Sequence, residues 1–474
     1  MLNVLHVSAE CSPFVKIGGL ADVVGSLPNE IKRLKGNDVR VILPFYKSIP
    51  KKYKDQTEDV LNFKFDFEFE EQYVGVKSLK RGNILYYFID NEFYFGSRDN
   101  VYNYGDEFKR FAYFQLAVLE SLKHLDFPVD IIHVHDWHTA MIPLLLEKKY
   151  KSLKVKTVLS LHNMAYQGVF PLQDYKLFNI DYDTRFEFEG NLNFLKTGIV
   201  SADIITTVSP NYAQEILTDY YGYGMQNLLK QRGSDVIGVL NGVDYNEFSP
   251  ENDKLIPKKF SLEDYKLGKL ENKKALFKRL AIDFPLDRPV ISLISRLVNQ
   301  KGIDLIERVF DEMLEADDFS FILLGNGEAS YENYFKELEI KFPTKVKTYI
   351  GYSNELAHLI YAASDMFLMP SKFEPCGLGQ IIALKYGTIP IVRETGGLVD
   401  TIEPYNEYEK SGNGFSFANF NAHDMMHVIR YAIHIYKSDK SNWNRLINNA
   451  MSSDFSWKKS ALIYKGIYKD LMRG

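Results

Sequence analysis

A chain of 474 residues exceeds the size at which one hydrophobic core keeps growing, so two domains are expected. With 46% apolar and 25% charged residues it has the composition of a globular enzyme, and 57 basic against 62 acidic residues, a net charge of −5 without a long basic tract, argue against a nucleic-acid partner. Cys11 and Cys376 are too few for a disulfide framework or a thiolate zinc site; no long apolar run or secretory pattern is present, so a cytoplasmic protein with no membrane partner is expected.

Leu2 to Ser8 is a short apolar run leading into Lys16-Ile17-Gly18-Gly19-Leu20-Ala21-Asp22-Val23-Val24 and a helical pattern to about Leu34, in the order strand, glycine loop, helix. The spacing is not G-x-G-x-x-G, so no dinucleotide cofactor is indicated. Two glycines beside a lysine at a helix start make a pocket for an anion or a sugar, with Lys16 as a point charge and Asp22 as a hydroxyl acceptor. A Gly-rich turn with a solvated lysine describes the same residues. Val39 to Leu43 predicts a second strand, and Phe63 to Phe69, alternating Phe with charge, a strand with an exposed face. Val74 to Lys80 and Ile84 to Phe88 flank Arg81-Gly82-Asn83 as a hairpin inserted into the pattern.

Asp106 to Leu125 reads as helix, and Ile131 to His135 as a buried strand ending in His135-Asp136-Trp137-His138. His135, Asp136 and His138 are the only metal-like group; a carbohydrate contact, with Trp137 stacking on a sugar face, or a structural cluster suits the residues equally. Lys156 to Leu161 ends at His162-Asn163-Met164-Ala165-Tyr166-Gln167-Gly168. Asp203 to Val208 precedes Ser209-Pro210, and Val236 to Leu240 ends in Asn241-Gly242-Val243-Asp244. Polar residues thus recur at strand ends, the edge of open parallel sheets where ligands sit.

Tyr245 to Asp287 has no strong strand and reads as a connection. Strands are then predicted near Val290 to Ile294, Ser320 to Leu324, Lys345 to Tyr349, Met366 to Met369 and Ile389 to Val392. The helices between them fall at Ile303 to Glu315, Ser330 to Phe342, Asn354 to Ala363 and Gly379 to Tyr386, a doubly wound parallel pattern. Arg296 and Lys301, in the loop after the first of these strands, are placed to clamp a diphosphate, and Tyr352 to stack on a base. In Pro370-Ser371-Lys372-Phe373-Glu374-Pro375-Cys376-Gly377-Leu378-Gly379-Gln380, the glycines let the main chain approach an anion at a helix start, with the Glu374 carboxylate beside it. From about Asn442 a long terminal helix is expected, with Trp457, Ala461, Tyr464 and Tyr468 on one face, packing back across the domain junction. The expected domains are 1–244, carrying the hairpin, 245–456, and a terminal helix, 457–474, that returns to the first.

Taken together, Lys16 to Val23, His135-Asp136-Trp137-His138, Leu161-His162-Asn163 with Tyr166-Gln167-Gly168, Thr207-Val208-Ser209-Pro210, Asn241-Gly242-Val243-Asp244, Ser295-Arg296-Leu297 with Gln300-Lys301-Gly302, Phe373 to Leu378 and Thr395-Gly396-Gly397-Leu398 resemble, in order, the motifs of bacterial glycogen synthases and plant starch synthases along nearly the whole chain. The resemblance implies an α/β, GT-B fold of two Rossmann-like domains facing a cleft. It implies ADP-glucose as donor, an α-1,4-glucan such as glycogen as acceptor, and a retaining mechanism with no cofactor and no required metal.

Carried over by position, the resemblance implies that Lys16, Gly18 and Gly19 border the donor's phosphate and sugar, while Asp22 and Asn241 hold the glucosyl group. Arg296 and Lys301 would neutralise the diphosphate, with Cys376, Gly377, Leu378, Thr395 and Gly396 around it and Tyr352 on adenine. Glu374 would lie beside the glucose ring and His162 near the reacting carbon, and Asp136, Trp137 and His138 on the acceptor side. Phe248, Lys372 and Asn413 depart from the common Trp, Arg and Thr. A front-face step, in which the departing phosphate takes the acceptor's proton, fits this set; the sequence leaves open a nucleophilic Glu374. Competing readings are a UDP-sugar transferase or epimerase, and a silent glucan-binding protein, which would lose the charged residues at the phosphate clamp. Oligomeric state is not legible.

Overall fold

The computed structural model describes residues 2–68 and 70–473; Met1, Phe69 and Gly474, and with them the ends of the strand expected from Phe63 and of the terminal segment, lie outside the described residues. The chain divides into two compact units, Met1–Gly242 with Trp457–Gly474, and Val243–Ser456.

The first unit is built on β1 (Leu2–Val7), β2 (Asn37–Pro44), β3 (Glu58–Phe67), β4 (Glu70–Arg81), β5 (Ile84–Asp90), β6 (Ile131–His135), β7 (Lys156–Leu161), β11 (Ile204–Thr207) and β12 (Val236–Gly238), in the order β12-β11-β7-β6-β1-β2-β5-β4-β3. β1 and β6 are central and covered on both faces, which is why their sequences are short and nearly continuously apolar. The expected hairpin forms, β4 antiparallel to β5 about Gly82, and it joins the main sheet. β5 pairs parallel with β2, Val41 opposite Tyr86, so β5, β4 and β3 prolong the main sheet with two antiparallel edge strands and do not form an insertion. β3 alternates exposed and half-buried residues as an edge strand should, and its Phe67 is buried. A small sheet of β8 (Val169–Pro171), β9 (Glu187–Phe188) and β10 (Asn191–Asn193), order β8-β10-β9, was not legible from such short segments.

The second unit carries β13 (Val290–Leu297), β14 (Ser320–Gly327), β15 (Val346–Ile350), β16 (Met366–Met369), β17 (Ile389–Arg393) and β18 (Phe415–Phe417), all parallel, in the order β15-β14-β13-β16-β17-β18. The segment read as a connection is structured. Helix Tyr265–Leu280 packs Leu276 and Phe277 against Leu356, Leu359 and Ile360, and its buried Lys269 ammonium donates to the carbonyls of Ala362 and Tyr386. Asp253 is also buried, accepting from Tyr386 Oη at 2.5 Å and His358 Nδ1 at 2.8 Å.

The terminal helix is two helices, Lys440–Ser452 and Trp457–Leu471. The break comes where the chain turns extended at Ser453 and pairs with Val243, whose amide donates to Phe455 O at 2.9 Å. Beyond it Trp457, Ala461, Tyr464 and Tyr468 are buried on the face that the periodicity indicates.

Candidate active site

The parallel part of each of the two large sheets reverses its strand order at one place, and an open parallel sheet leaves a crevice there at the strands' carboxyl ends. In the second unit the reversal lies between β13 and β16. Arg296 is the penultimate residue of the first of these strands, and Pro370 to Gly379 follows the second. A cavity of about 240 Å³ opens here, lined by Arg296, Lys301, Ser371, Glu374, Gly377 and Leu378 among others. Lys301 Nζ lies 2.6 Å from Glu374 Oε2, and Ser371 Oγ donates to the same oxygen at 3.0 Å. Glu374 is thus a buried carboxylate with two donors, while Arg296 stands exposed at the rim.

The loop carrying Glu374 is held from both sides. Lys372 N donates to Gln300 O, Gln300 Nε2 to Phe373 O, and Arg393 Nη1 to Lys372 O. From the segment after β17, Gly397 N donates to Glu374 O at 3.1 Å, and Gly396, at φ +46°, sits so close that a Cβ would meet Glu374 O at 2.0 Å. Gly377 also has positive φ, +72°, in the turn before helix Gly379–Lys385. Thr395, after β17, and Cys376, within the loop, are buried. Tyr352, 76% exposed after β15, is at the same sheet edge, with β14 between its strand and β13.

In the first unit the reversal lies between β1 and β6. Lys16 to Gly19 are exposed, Lys16 Nζ is 2.7 Å from Asp22 Oδ1, and a Cβ on Gly18 or Gly19 would meet nothing within 4 Å. Burial raises the Asp22 carboxyl pKa against the opposing pull of Lys16. What holds the loop is Glu10, absent from the sequence-based set. Its buried carboxylate accepts from Ile17 N at 2.7 Å, Gly18 N at 3.0 Å and Tyr102 Oη at 2.6 Å. An acidic residue within an otherwise buried stretch before the glycine loop was the available signal. Asn241 is buried after β12.

At the end of β6, Asp136 takes φ +55° and its Oδ1 accepts from His162 N at 2.7 Å; Asn163 N bonds the same carboxylate. Burial pushes its pKa up to about 7 against those two amides. Asp136 therefore buckles the ends of β6 and β7 together. His138 is 7% exposed, packed among Tyr102, Phe111 and Trp137. Trp137 is 6% exposed, and a Cβ on Gly168 would meet its ring at 2.4 Å, so the expected sugar-stacking face is occupied by protein. Trp137 contributes to the wall of an open groove of about 390 Å³ with Glu107, Gly168 and Phe170, and the aromatic ring standing free there is Tyr166, 56% exposed.

The metal-like group is also different from the one expected. Among the described residues, the side chains near enough to share an ion are His6, His133 and His135, with ligand atoms within 4.8 Å of one another, and not His135, Asp136 and His138. His135 Nδ1 in turn lies 3.0 Å from His162 Nε2.

Two Rossmann-like units, each gathering polar side chains at its switch point, define a GT-B glycosyltransferase. Residues 3–231 match the family described as starch synthase catalytic domain, and residues 276–451 the family described as glycosyl transferases group 1. The chain is 48% identical to a glycogen synthase of Bacillus cereus (strain B4264), covering 99% of this chain and 100% of that one, and 45% identical to the glycogen synthase of Bacillus subtilis (strain 168), covering 100% and 99%. It superposes on the catalytic domain of starch synthase IV from Arabidopsis thaliana bound to ADP and acarbose with a TM-score of 0.92, at 34% identity and full coverage of both chains. The chain belongs to the glycogen synthase and starch synthase family.

Proposed function

We propose that this protein transfers glucose from ADP-glucose to the non-reducing end of an α-1,4-glucan with retention of configuration, in cytoplasmic glycogen synthesis. The observation that carries this reading is the convergence of Arg296, Lys301 and Glu374 on one cavity at the switch point of the second unit, in a chain of this family. The bond from the anomeric carbon to the diphosphate oxygen breaks, the acceptor's 4-oxygen bonds to that carbon on the same face, and the acceptor's proton passes to the departing phosphate. Arg296 and Lys301 offset the charge that develops on the phosphate, so the reaction runs without a metal or other cofactor. Lys301 has three donors and can hold a phosphate oxygen and Glu374 at once. Glu374, bonded by a cation and a hydroxyl, is a poor nucleophile and a good electrostatic partner for an oxocarbenium-like centre.

Within the first unit, Lys16, Gly18, Gly19, Asp22, Asn241 and His162 offer groups suited to a sugar or a phosphate, and within the second Tyr352 offers a ring suited to a base. For the acceptor the geometry favours Tyr166 as the stacking ring, with Trp137 as wall and Asp136 and His138 behind it. The test is incorporation of labelled glucose into glycogen from ADP-glucose and, separately, UDP-glucose. Transfer from ADP-glucose with a much larger kcat/KM is expected. Equal values for the two donors overturn the choice of nucleotide, and no incorporation from either overturns the reaction.

A further inference from the structure

The parallel register sets His6 of β1 opposite His133 of β6, and two residues on, His135 points to the same face. All three are fully buried. His135 stacks on both of the others, on His133 at 4.4 Å and 16° and on His6 at 5.3 Å and 20°, while His6 and His133 lie 4.6 Å apart and tilted by 35°. His133 spends both nitrogens on protein partners, Tyr468 Oη at 2.6 Å and Ser160 Oγ at 2.7 Å. With both of its ring nitrogens engaged, His133 has no lone pair left to offer an ion, so the cluster is poorly built for a metal. What it does form is a chain. His6 Nδ1 lies 3.0 Å from His135 Nε2, and His135 Nδ1 lies 3.0 Å from His162 Nε2.

We propose that His6 and His135 are positioning residues for His162, the chain of imidazoles fixing its ring and occupying Nε2 so that it meets the donor through Nδ1 as a neutral hydrogen-bonding group. The inference rests on the glucosyl-transfer reading for what His162 does, and on the chain alone for how it is held. Each neutral ring carries one proton, so the two bonds run in the same direction and the tautomer of His162 is tied to those of His135 and His6. The groups facing His162 are uncharged imidazoles, His135 and His6 along the chain with His133 and His138 nearby, and the Asp136 carboxylate, which is engaged by the backbone amide of His162. Among the described residues no acid is bonded to the ring, and burial pushes the His162 pKa down to about 3.

The test is ring-nitrogen NMR of histidine-labelled full-length protein between pH 5.5 and 8.5, alongside the pH profile of kcat/KM. In the unmodified protein His162 should hold one tautomer and not titrate, a result independent of whether the enzyme uses ADP-glucose. In His135→Phe, His162 stays desolvated and neutral but loses the partner at Nε2, so its ring nitrogens should report a mixture of the two tautomers, with kcat lowered by on the order of tenfold and little change in the donor's KM. His135→Asn, whose amide sits where Nδ1 was, should restore most of the loss; His135→Gln should not. A His162 resonance titrating near 6.5 in the unmodified protein overturns the proposal, as does an unchanged single tautomer of His162 in folded His135→Phe, or stoichiometric metal on the purified protein that is lost in His6→Phe. Should His135→Phe not fold, the titration of the unmodified protein decides by itself.

Discussion

Lys301 Nζ lies 2.6 Å from Glu374 Oε2, with side-chain exposures of 17% and 9%. The pair joins the loop after β13 to the loop after β16, and both side chains line the same cavity. A cation and an anion held this way can serve a reaction in which a diphosphate leaves and a positive sugar centre forms. Glu374→Gln keeps the shape and removes the charge, so kcat should fall by roughly 10² to 10³ with donor affinity nearly unchanged. Steady-state kinetics and donor titration check it, and near-normal turnover would reduce Glu374 to a structural role.

Arg296 stands at the rim of that cavity with a planar fork that can bind two phosphate oxygens, which an ammonium cannot copy. Arg296→Ala should lower kcat/KM by on the order of 10² or more, and Arg296→Lys should recover only part. The companion measurement is activity after exhaustive chelation, which should survive. Loss on chelation with recovery on adding Mg²⁺ or Mn²⁺ would show that a metal, and not the Arg296–Lys301 clamp, carries the leaving-group charge.

Gly396 combines positive φ with a backbone oxygen where its Cβ would be. Gly396→Ala should therefore displace the Glu374 loop, costing about 2 kcal/mol or more of stability and most of the activity. Gly18→Ala meets no protein atom and should leave thermal stability nearly unchanged while weakening donor binding. Calorimetry on both separates the two roles, and equal losses of stability would contradict the assignment.

Burial pushes His6, His138 and His162 down to about 3, and His133 and His135 well below the ordinary value. Below about pH 6.5 the unfolded chain takes up protons that these buried rings refuse, so stability is full above that value and falls as pH drops toward 3. Each such ring can cost up to about 1.4 kcal/mol per pH unit in that window, so the denaturation midpoint should drop steeply between pH 6.5 and 4. His138→Phe, which removes one of these rings, should flatten the slope. A midpoint independent of pH over that range would mean the rings charge freely in the folded state.

Local signals set much of this fold. Strand-to-loop-to-helix punctuation at Leu2 to Val24 and at Met366 to Tyr386 is a matter of apolar runs, glycine and proline, which act over a few residues; the parallel alternation followed from it, and so did the candidates Lys16, Asp22, Arg296, Lys301 and Glu374 at strand ends. What a side chain touches depends on strands far apart in sequence. The register of β1 on β6 made the histidine row, Gly168 closed the face of Trp137, and Glu10 became the clasp of the glycine loop through amides and a distant Tyr102 hydroxyl. The helix break at Ser453 to Ser456 is likewise non-local, because no proline or glycine marks it and the segment pairs with Val243. Propensity and periodicity are properties of neighbours in the chain, whereas burial and hydrogen-bond partnership are settled only when remote segments are packed together.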